Sequence, residues 1–228
     1  MSDAGAGKRR EPFVITRERL LDGRHLDALR ARATPDFTVR SDEELAASLE
    51  AALAEHRPGE DAWVFGYGSL MWNPAFLHEE HRLGTVRGWH RSFCLRMTRG
   101  RGTPDCPGLM LALDRGGLCR GMGFRIAAER VREELLLVWR REMLSGAYLA
   151  RWVQVETEAG RVRAVTFVAN RAHPRYLGRL ADEATAERIR IAAGELGTCR
   201  DYFDRTVTAL DAFGIRDAAL SRIGRLLA

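Results

Sequence analysis

Hydrophobic positions divide the chain into three blocks. In the first, to about residue 59, apolar residues recur at helical spacing. Leucines stand at 20, 21, 26 and 29 across 17–32, and Leu45, Leu49 and Leu53 mark one stripe of a further helix. Ser41 followed by Glu44 is a capping-box pattern that starts this helix, and Pro58-Gly59 ends it. The second block, about 61–170, is rich in strands. A short apolar run occupies 62–67, and 86–97 carries the alternating set Trp89, Phe93 and Leu95. Runs at 109–113 and 118–126 flank Asp114-Arg115-Gly116-Gly117, which predicts a hairpin turn. Runs at 152–157 and 162–168 flank Glu158-Ala159-Gly160-Arg161, a second hairpin. In its second arm Val162, Ala164, Thr166 and Val168 alternate with Arg163, Val165 and Phe167. One helix, about 129–144, interrupts the strands. The third block is helical: 182–196 ending at Gly197, 199–213 ending at Gly214, and a last helix to Leu227 capped by Asp217.

Helices, then strands around one helix, then helices again predict an α+β domain with a small, strongly curved or closed sheet. The 228 residues suit one domain with an extension. We assign 1–60 to an N-terminal tail and helical extension and 61–228 to the domain that carries the chemistry.

Composition narrows the function classes. Hydrophobic residues make up 46%, enough for a proper core. No apolar run approaches the ~18–20 residues of a membrane span. Residues 1–12 are polar and basic and lack the apolar stretch of a secretory signal. A cytoplasmic protein with no membrane role is expected. The net charge is +5, and Lys8 is the sole lysine among 36 basic residues. The arginines alternate with acids, as in Glu129-Arg130-Val131-Arg132-Glu133-Glu134, and form no clustered stripe with stacking aromatics. That excludes nucleic acid as the expected partner. A mild positive field favours an anionic small substrate. The sequence leaves oligomeric state open, with a monomer as the default.

The four cysteines, Cys94, Cys106, Cys119 and Cys199, form no CxxC motif and are expected as reduced, buried thiols. His78-Glu79-Glu80-His81 places two histidines at i, i+3, but no third ligand is evident and HExxH is absent, so no metal site is expected.

Two features carry candidate chemistry. The first is the loop Val64-Phe65-Gly66-Tyr67-Gly68-Ser69-Leu70, where an apolar strand runs into Gly-Tyr-Gly-Ser. Glycines let the backbone turn sharply and expose successive N–H groups, a nest for a carboxylate, phosphate or oxyanion. Met71 stands where the third glycine of GxGxxG belongs, no Gly-Lys-Ser/Thr follows, and Tyr67 breaks GxSxG. A tight turn without ligand fits the glycines equally well.

The second feature is Glu142. At ~100° per residue, Val131, Leu135, Val138 and Glu142 fall within about 60° of one another, a core stripe. The carboxylate therefore points where an aliphatic side chain is expected, and burial raises its pKa toward the range of a general base. A structural pairing with an arginine, such as Arg96 or Arg125, is the alternative. Glu133 lies about 180° round the helix and roughly 13 Å along it, so the two carboxylates cannot share a site.

Together these features resemble the ChaC family of γ-glutamylcyclotransferases. Trp63-Val64-Phe65-Gly66-Tyr67-Gly68-Ser69-Leu70-Met71-Trp72-Asn73-Pro74 resembles the family signature almost residue for residue. Gly88-Trp89-His90-Arg91-Ser92-Phe93, then Arg101-Gly102-Thr103-Pro104 with Pro107-Gly108, are similar to its next blocks. Trp139-Arg140-Arg141-Glu142-Met143, with Gly146 and Tyr148, resembles the segment that bears the catalytic glutamate, and Tyr202 falls where the family has a substrate-contacting tyrosine. Cys199, where the family often has asparagine, and Gly123-Phe124, in place of Ala-Tyr, are departures that bear on substrate preference. The resemblance implies a small mixed barrel flanked by helices and Glu142 as acid/base. It implies substrate binding by residues 64–70 and Tyr202, glutathione or another γ-glutamyl compound as substrate, and no metal or organic cofactor.

Overall fold

Two long strands carry the fold in the computed structural model, which describes residues 15–34 and 37–228. The basic stretch at 1–12 lies outside the described residues. Strands β2 (Glu80–Met97) and β3 (Gly108–Ile126) pair antiparallel along nearly their whole length. β1 (Ala62–Gly66) runs antiparallel to the end of β3, from Ala62↔Ile126 to Gly66↔Met122. β4 (Tyr148–Thr157) and β5 (Gly160–Ala169) form a hairpin with Thr157 opposite Gly160. β4 joins β2 near Thr85, and β5 runs parallel to β1 at Trp63↔Ala164. The sheet thus closes into a five-stranded barrel of order β1-β3-β2-β4-β5.

Asp114–Gly117 is not a hairpin turn, contrary to expectation. β3 runs straight through it, and the β2–β3 connection is the loop at 98–107. The register steps from Arg87↔Leu118 to Trp89↔Arg115, so Gly116 and Gly117 stand opposite Gly88 alone. All three have positive φ (102°, 68° and 81°), the geometry of a bulge that bends a ribbon. Glycine pairs serve turns and bulges alike, so the sequence cue was ambiguous. A different constraint acts at Gly84, where an added Cβ would lie 2.3 Å from Val155 Cγ1 as β2 meets β4.

Helices surround the barrel. The run at 17–32 is two short helices, α1 (Arg17–Asp22) and α2 (Arg24–Arg30), divided at Gly23 with φ 71°. α3 (Asp42–Leu53) begins with the expected capping box: Ser41 Oγ accepts from Glu44 N at 3.2 Å, and the Glu44 carboxylate accepts from Ser41 N at 2.8 Å. α4 (Val131–Glu142) takes α3 through a Trp139 Nε1–Ser48 Oγ bond of 2.9 Å. Leu26, Leu45 and Leu49 join the same core as the barrel residues Val64, Phe65 and Phe167.

After α5 (Asp182–Ile191) the expected helix does not continue to 196. Residues 193–198 form a small hairpin, β6 (Ala193–Gly194) and β7 (Gly197–Thr198). Gly194 packs on the 98–107 loop so closely that a Cβ would meet Gly100 O at 2.4 Å, and Gly197 has φ 99°. α6 (Cys199–Ala212) and α7 (Ala218–Leu227) complete the chain, α7 capped by Asp217 Oδ1 at 3.1 Å from Ala219 N and Leu220 N. Among the described residues no helix is long and apolar enough to cross a membrane.

Candidate active site

A cavity of about 160 Å³ opens where the chain leaves β1. Its polar lining comes from five regions of the fold. Tyr67, Gly68, Ser69 and Leu70 come from the loop after β1, and Arg141 and Glu142 from the end of α4. Tyr148 starts β4, Tyr202 and Arg205 lie on α6, and Arg101 on the 98–107 loop. Val64, Phe65 and Gly66 are strand residues inside the barrel and do not line the cavity. Val64 and Phe65 are fully buried.

The loop glycines act by leaving room rather than by turning left-handed, because neither has positive φ. A Cβ on Gly66 would sit 2.9 Å from Leu70 Cβ, and one on Gly68 would sit 3.2 Å from the Tyr202 hydroxyl. The chain then makes one 3₁₀ turn, Ser69–Met71, whose first bond is Met71 N to Gly68 O at 2.9 Å. The N–H groups of Gly68, Ser69 and Leu70 precede that bond, as donors do at any helix start. All three residues line the cavity.

Glu142 is the last residue of α4, and its side chain is 14% exposed. Its partner is neither Arg96 nor Arg125 but its chain neighbour: Arg141 Nε lies 3.0 Å from Glu142 Oε1. Arg125 pairs with Asp61 and Glu80. Burial pushes the Glu142 carboxyl above its ordinary value, and the Arg141 guanidinium beside it opposes the rise. Burial likewise lowers Arg141, opposed by the Glu142 carboxylate. Arg141 also ties the helix to the loop, donating through Nη2 to Ser69 Oγ at 2.8 Å and through Nη1 to Asn73 O.

Three tyrosines frame the carboxylate. Tyr67 donates to Phe167 O and Tyr148 to Leu111 O, both at 2.6 Å. Burial raises all three above the ordinary tyrosine value, with the Glu142 charge adding to the effect, so they remain neutral donors. Glu133 is exposed and pairs with Arg17. Glu134, which the periodicity did not single out, is fully buried and accepts from Leu77 N at 2.9 Å and from Arg17.

Other nucleophile and metal candidates are weak. Burial pushes the Cys94 thiol up to about 12 and Cys119 up to about 11, so neither is a thiolate at neutral pH. His78 and His81 pack around the Phe124 ring, and Glu80 pairs with Arg82 and Arg125. Among the described residues no group of three potential ligands could hold a metal ion.

Sequence reasoning did not single out Arg141, Tyr148, Arg101 or Arg205 for the cavity. Two of them carried a signal. Arg141 adjoins the glutamate, and Arg205 follows Tyr202 by three residues, which puts both on one face of α6. Arg101 and Tyr148 stand in segments that resemble the family, but no spacing ties either to the cavity.

Comparison with known proteins places this geometry. The family model described as ChaC-like protein matches residues 62–227. The chain is 42% identical over 210 residues to a glutathione-specific γ-glutamylcyclotransferase of Escherichia coli, covering 91% of this chain and 90% of that protein. It is 32% identical over 176 residues to the mouse glutathione-specific γ-glutamylcyclotransferase 1, covering 72% of this chain and 79% of that one. In fold it is similar to the crystal structure of a glutathione-specific γ-glutamyl cyclotransferase from yeast, with a TM-score of 0.68 at 19% identity, covering 73% of this chain and 95% of that one.

Proposed function

Because the chain belongs to the ChaC-like protein family, we propose that it is a γ-glutamylcyclotransferase that cleaves glutathione to 5-oxoproline and cysteinylglycine. The substrate's α-amine attacks its own γ-carbonyl. A C–N bond of the five-membered lactam forms, and the C–N bond to the cysteine nitrogen breaks. Glu142 takes the proton from the attacking amine and returns one to the leaving nitrogen, so no external nucleophile is required. Such proton transfer contributes roughly 10²–10⁴-fold. Holding the glutamyl chain folded back adds proximity, with effective molarities of ~10⁵–10⁸ M in well-oriented cases.

The observation that carries this reading is the Glu142 carboxylate, raised by burial, in the wall of a cavity that Gly68, Ser69 and Leu70 also line. The loop N–H groups hold the glutamyl carboxylate or the developing oxyanion, and the Tyr202 hydroxyl donates to the substrate. Val64, Phe65 and Gly66 serve the site by fixing the strand from which the loop departs. Residues 61–228 act as the catalytic domain, with the N-terminal helices as its buttress. The enzyme works in the cytoplasm as a monomer, without a cofactor, membrane or nucleic-acid partner. Turnover of glutathione beside γ-glutamyl-alanine tests the substrate. Preference for glutathione supports the proposal, and preference for γ-glutamyl-alanine redirects it to γ-glutamyl amino acids.

A further inference from the structure

Among the described residues, the charged side chains lining the cavity do not balance. They are Arg101, Arg141, Arg205 and Glu142. Arg141 is engaged with Glu142, Ser69 and Asn73. Arg101 and Arg205 have no carboxylate within salt-bridge distance among the described residues. Asp201, whose charge Arg101 feels, is engaged in capping Thr198 N, and Asp204 pairs with Arg200. Two cations without a carboxylate partner among the described residues thus stand at one opening.

Their placement is constrained. Arg205 lies on the same face of α6 as Tyr202, and its guanidinium sits over the Trp72 ring, 5.4 Å from the centroid. Arg101 sits over the Tyr202 ring at 5.6 Å and uses Nη1 on Thr198 O at 2.8 Å. Aromatic faces support both groups from one side and leave N–H edges for a ligand. Arg101 is partly buried and Arg205 exposed, so they mark a path from the interior to the mouth. The enclosed space, about 160 Å³, is below the ~300–1,000 Å³ usual for small-molecule sites.

We propose that Arg101 and Arg205 clamp the free carboxylate at the far end of a γ-glutamyl peptide, and so select peptides over γ-glutamyl amines. The inference rests on the cyclotransferase reading, in which Glu142 and the loop serve the glutamyl end. The two uncompensated cations then meet the substrate carboxylate farther from the reacting γ-carbonyl. Guanidinium–carboxylate bonds are geometry-specific and stronger than neutral ones.

The test compares kcat/KM for glutathione with that for its C-terminal glycinamide analogue, in the wild type and in Arg205→Gln. A charge-assisted bond of this kind corresponds to roughly 10- to 100-fold. The wild type is expected to favour the acid by that factor, mostly through KM, and Arg205→Gln is expected to bring the ratio toward one. Arg205 is exposed, so the variant should fold. Arg101→Gln, checked by its melting curve, should narrow the ratio as well. Equal turnover of acid and amide by the wild type, or an unchanged ratio in both variants, overturns the clamp and leaves the cyclotransferase reading standing. Release of 5-oxoproline from neither substrate by the wild type overturns the parent reading and the clamp with it.

Discussion

Arg141 Nε lies 3.0 Å from Glu142 Oε1, so the buried carboxylate is held by the residue that precedes it in the chain. The same guanidinium reaches Ser69 Oγ at 2.8 Å and Asn73 O. One side chain thus ties the Glu142 carboxylate to the loop after β1. Neighbouring residues on a helix point about 100° apart. The contact therefore depends on Glu142 being the last helical residue, where both side chains can turn toward the cavity.

Replacing Arg141 separates its two roles. Arg141→Met removes the charge that opposes the raised Glu142 pKa, so the acidic limb of the kcat/KM–pH profile should move to higher pH. Misplacing the carboxylate should also lower kcat by on the order of 10²-fold. Arg141→Lys keeps a charge but loses the forked contact to Ser69, so kcat should fall while the limb moves less. An unshifted limb in Arg141→Met contradicts the electrostatic part of this assignment.

Stability should carry the Glu142 signature too. Burial raises the folded-state pKa above the unfolded value of roughly 4.3. As pH rises through the window between the two, the unfolded chain loses its proton first and the native state holds more protons. Native stability therefore falls with rising pH in that window, with no further change from this group above it. Urea unfolding at a series of pH values should show this fall in the wild type and a flatter profile in Glu142→Gln. Parallel profiles contradict it.

Gly68 offers a steric test of the loop. A Cβ there would come within 3.2 Å of the Tyr202 hydroxyl, a contact the ring can relieve only by shifting a few tenths of an ångström. Gly68→Ala should fold but displace the hydroxyl, raising KM several-fold with a smaller change in melting temperature. A combined Gly68→Ala/Tyr202→Phe variant should lose less than the two single effects summed.

Glu134 tests the fold and not the chemistry. Its fully buried carboxylate satisfies Leu77 N and Arg17, joining α4 to the segment before β2 and to α1. Glu134→Ala leaves Leu77 N unpaired and Arg17 with only the exposed Glu133, and should destabilise the protein by about 1–3 kcal/mol, read by denaturant unfolding. Glu133→Ala, at an exposed position, should change stability by less than about 1 kcal/mol.

Much of this arrangement was legible from local pattern. The Ser41–Glu44 capping box, the α4 stripe and the β4–β5 hairpin are written in spacings of two, three or four residues, and each forms as read. Pattern failed where one residue type serves two geometries. Gly116-Gly117 bends a strand instead of turning a hairpin, and Gly194 and Gly197 end a helix early to pack on the 98–107 loop. The phase of Glu142 was readable, but its partner was not, because a side chain reaching round a helix end has no periodic signal. Arg101 meets Tyr202 across about a hundred residues of chain, a juxtaposition created by the closed barrel. The γ-glutamyl group itself came from resemblance, since no spacing specifies a substrate.

The most direct measurement is release of 5-oxoproline from glutathione by wild type and Glu142→Gln, with binding of glutathione followed in parallel by calorimetry. Gln keeps the shape of the side chain but cannot shuttle the proton, and the loop N–H groups are untouched. The expected result is a fall in kcat of about 10²–10⁴-fold with binding retained within a few-fold. A correctly folded Glu142→Gln enzyme that turns over glutathione at a near-normal rate contradicts the assignment.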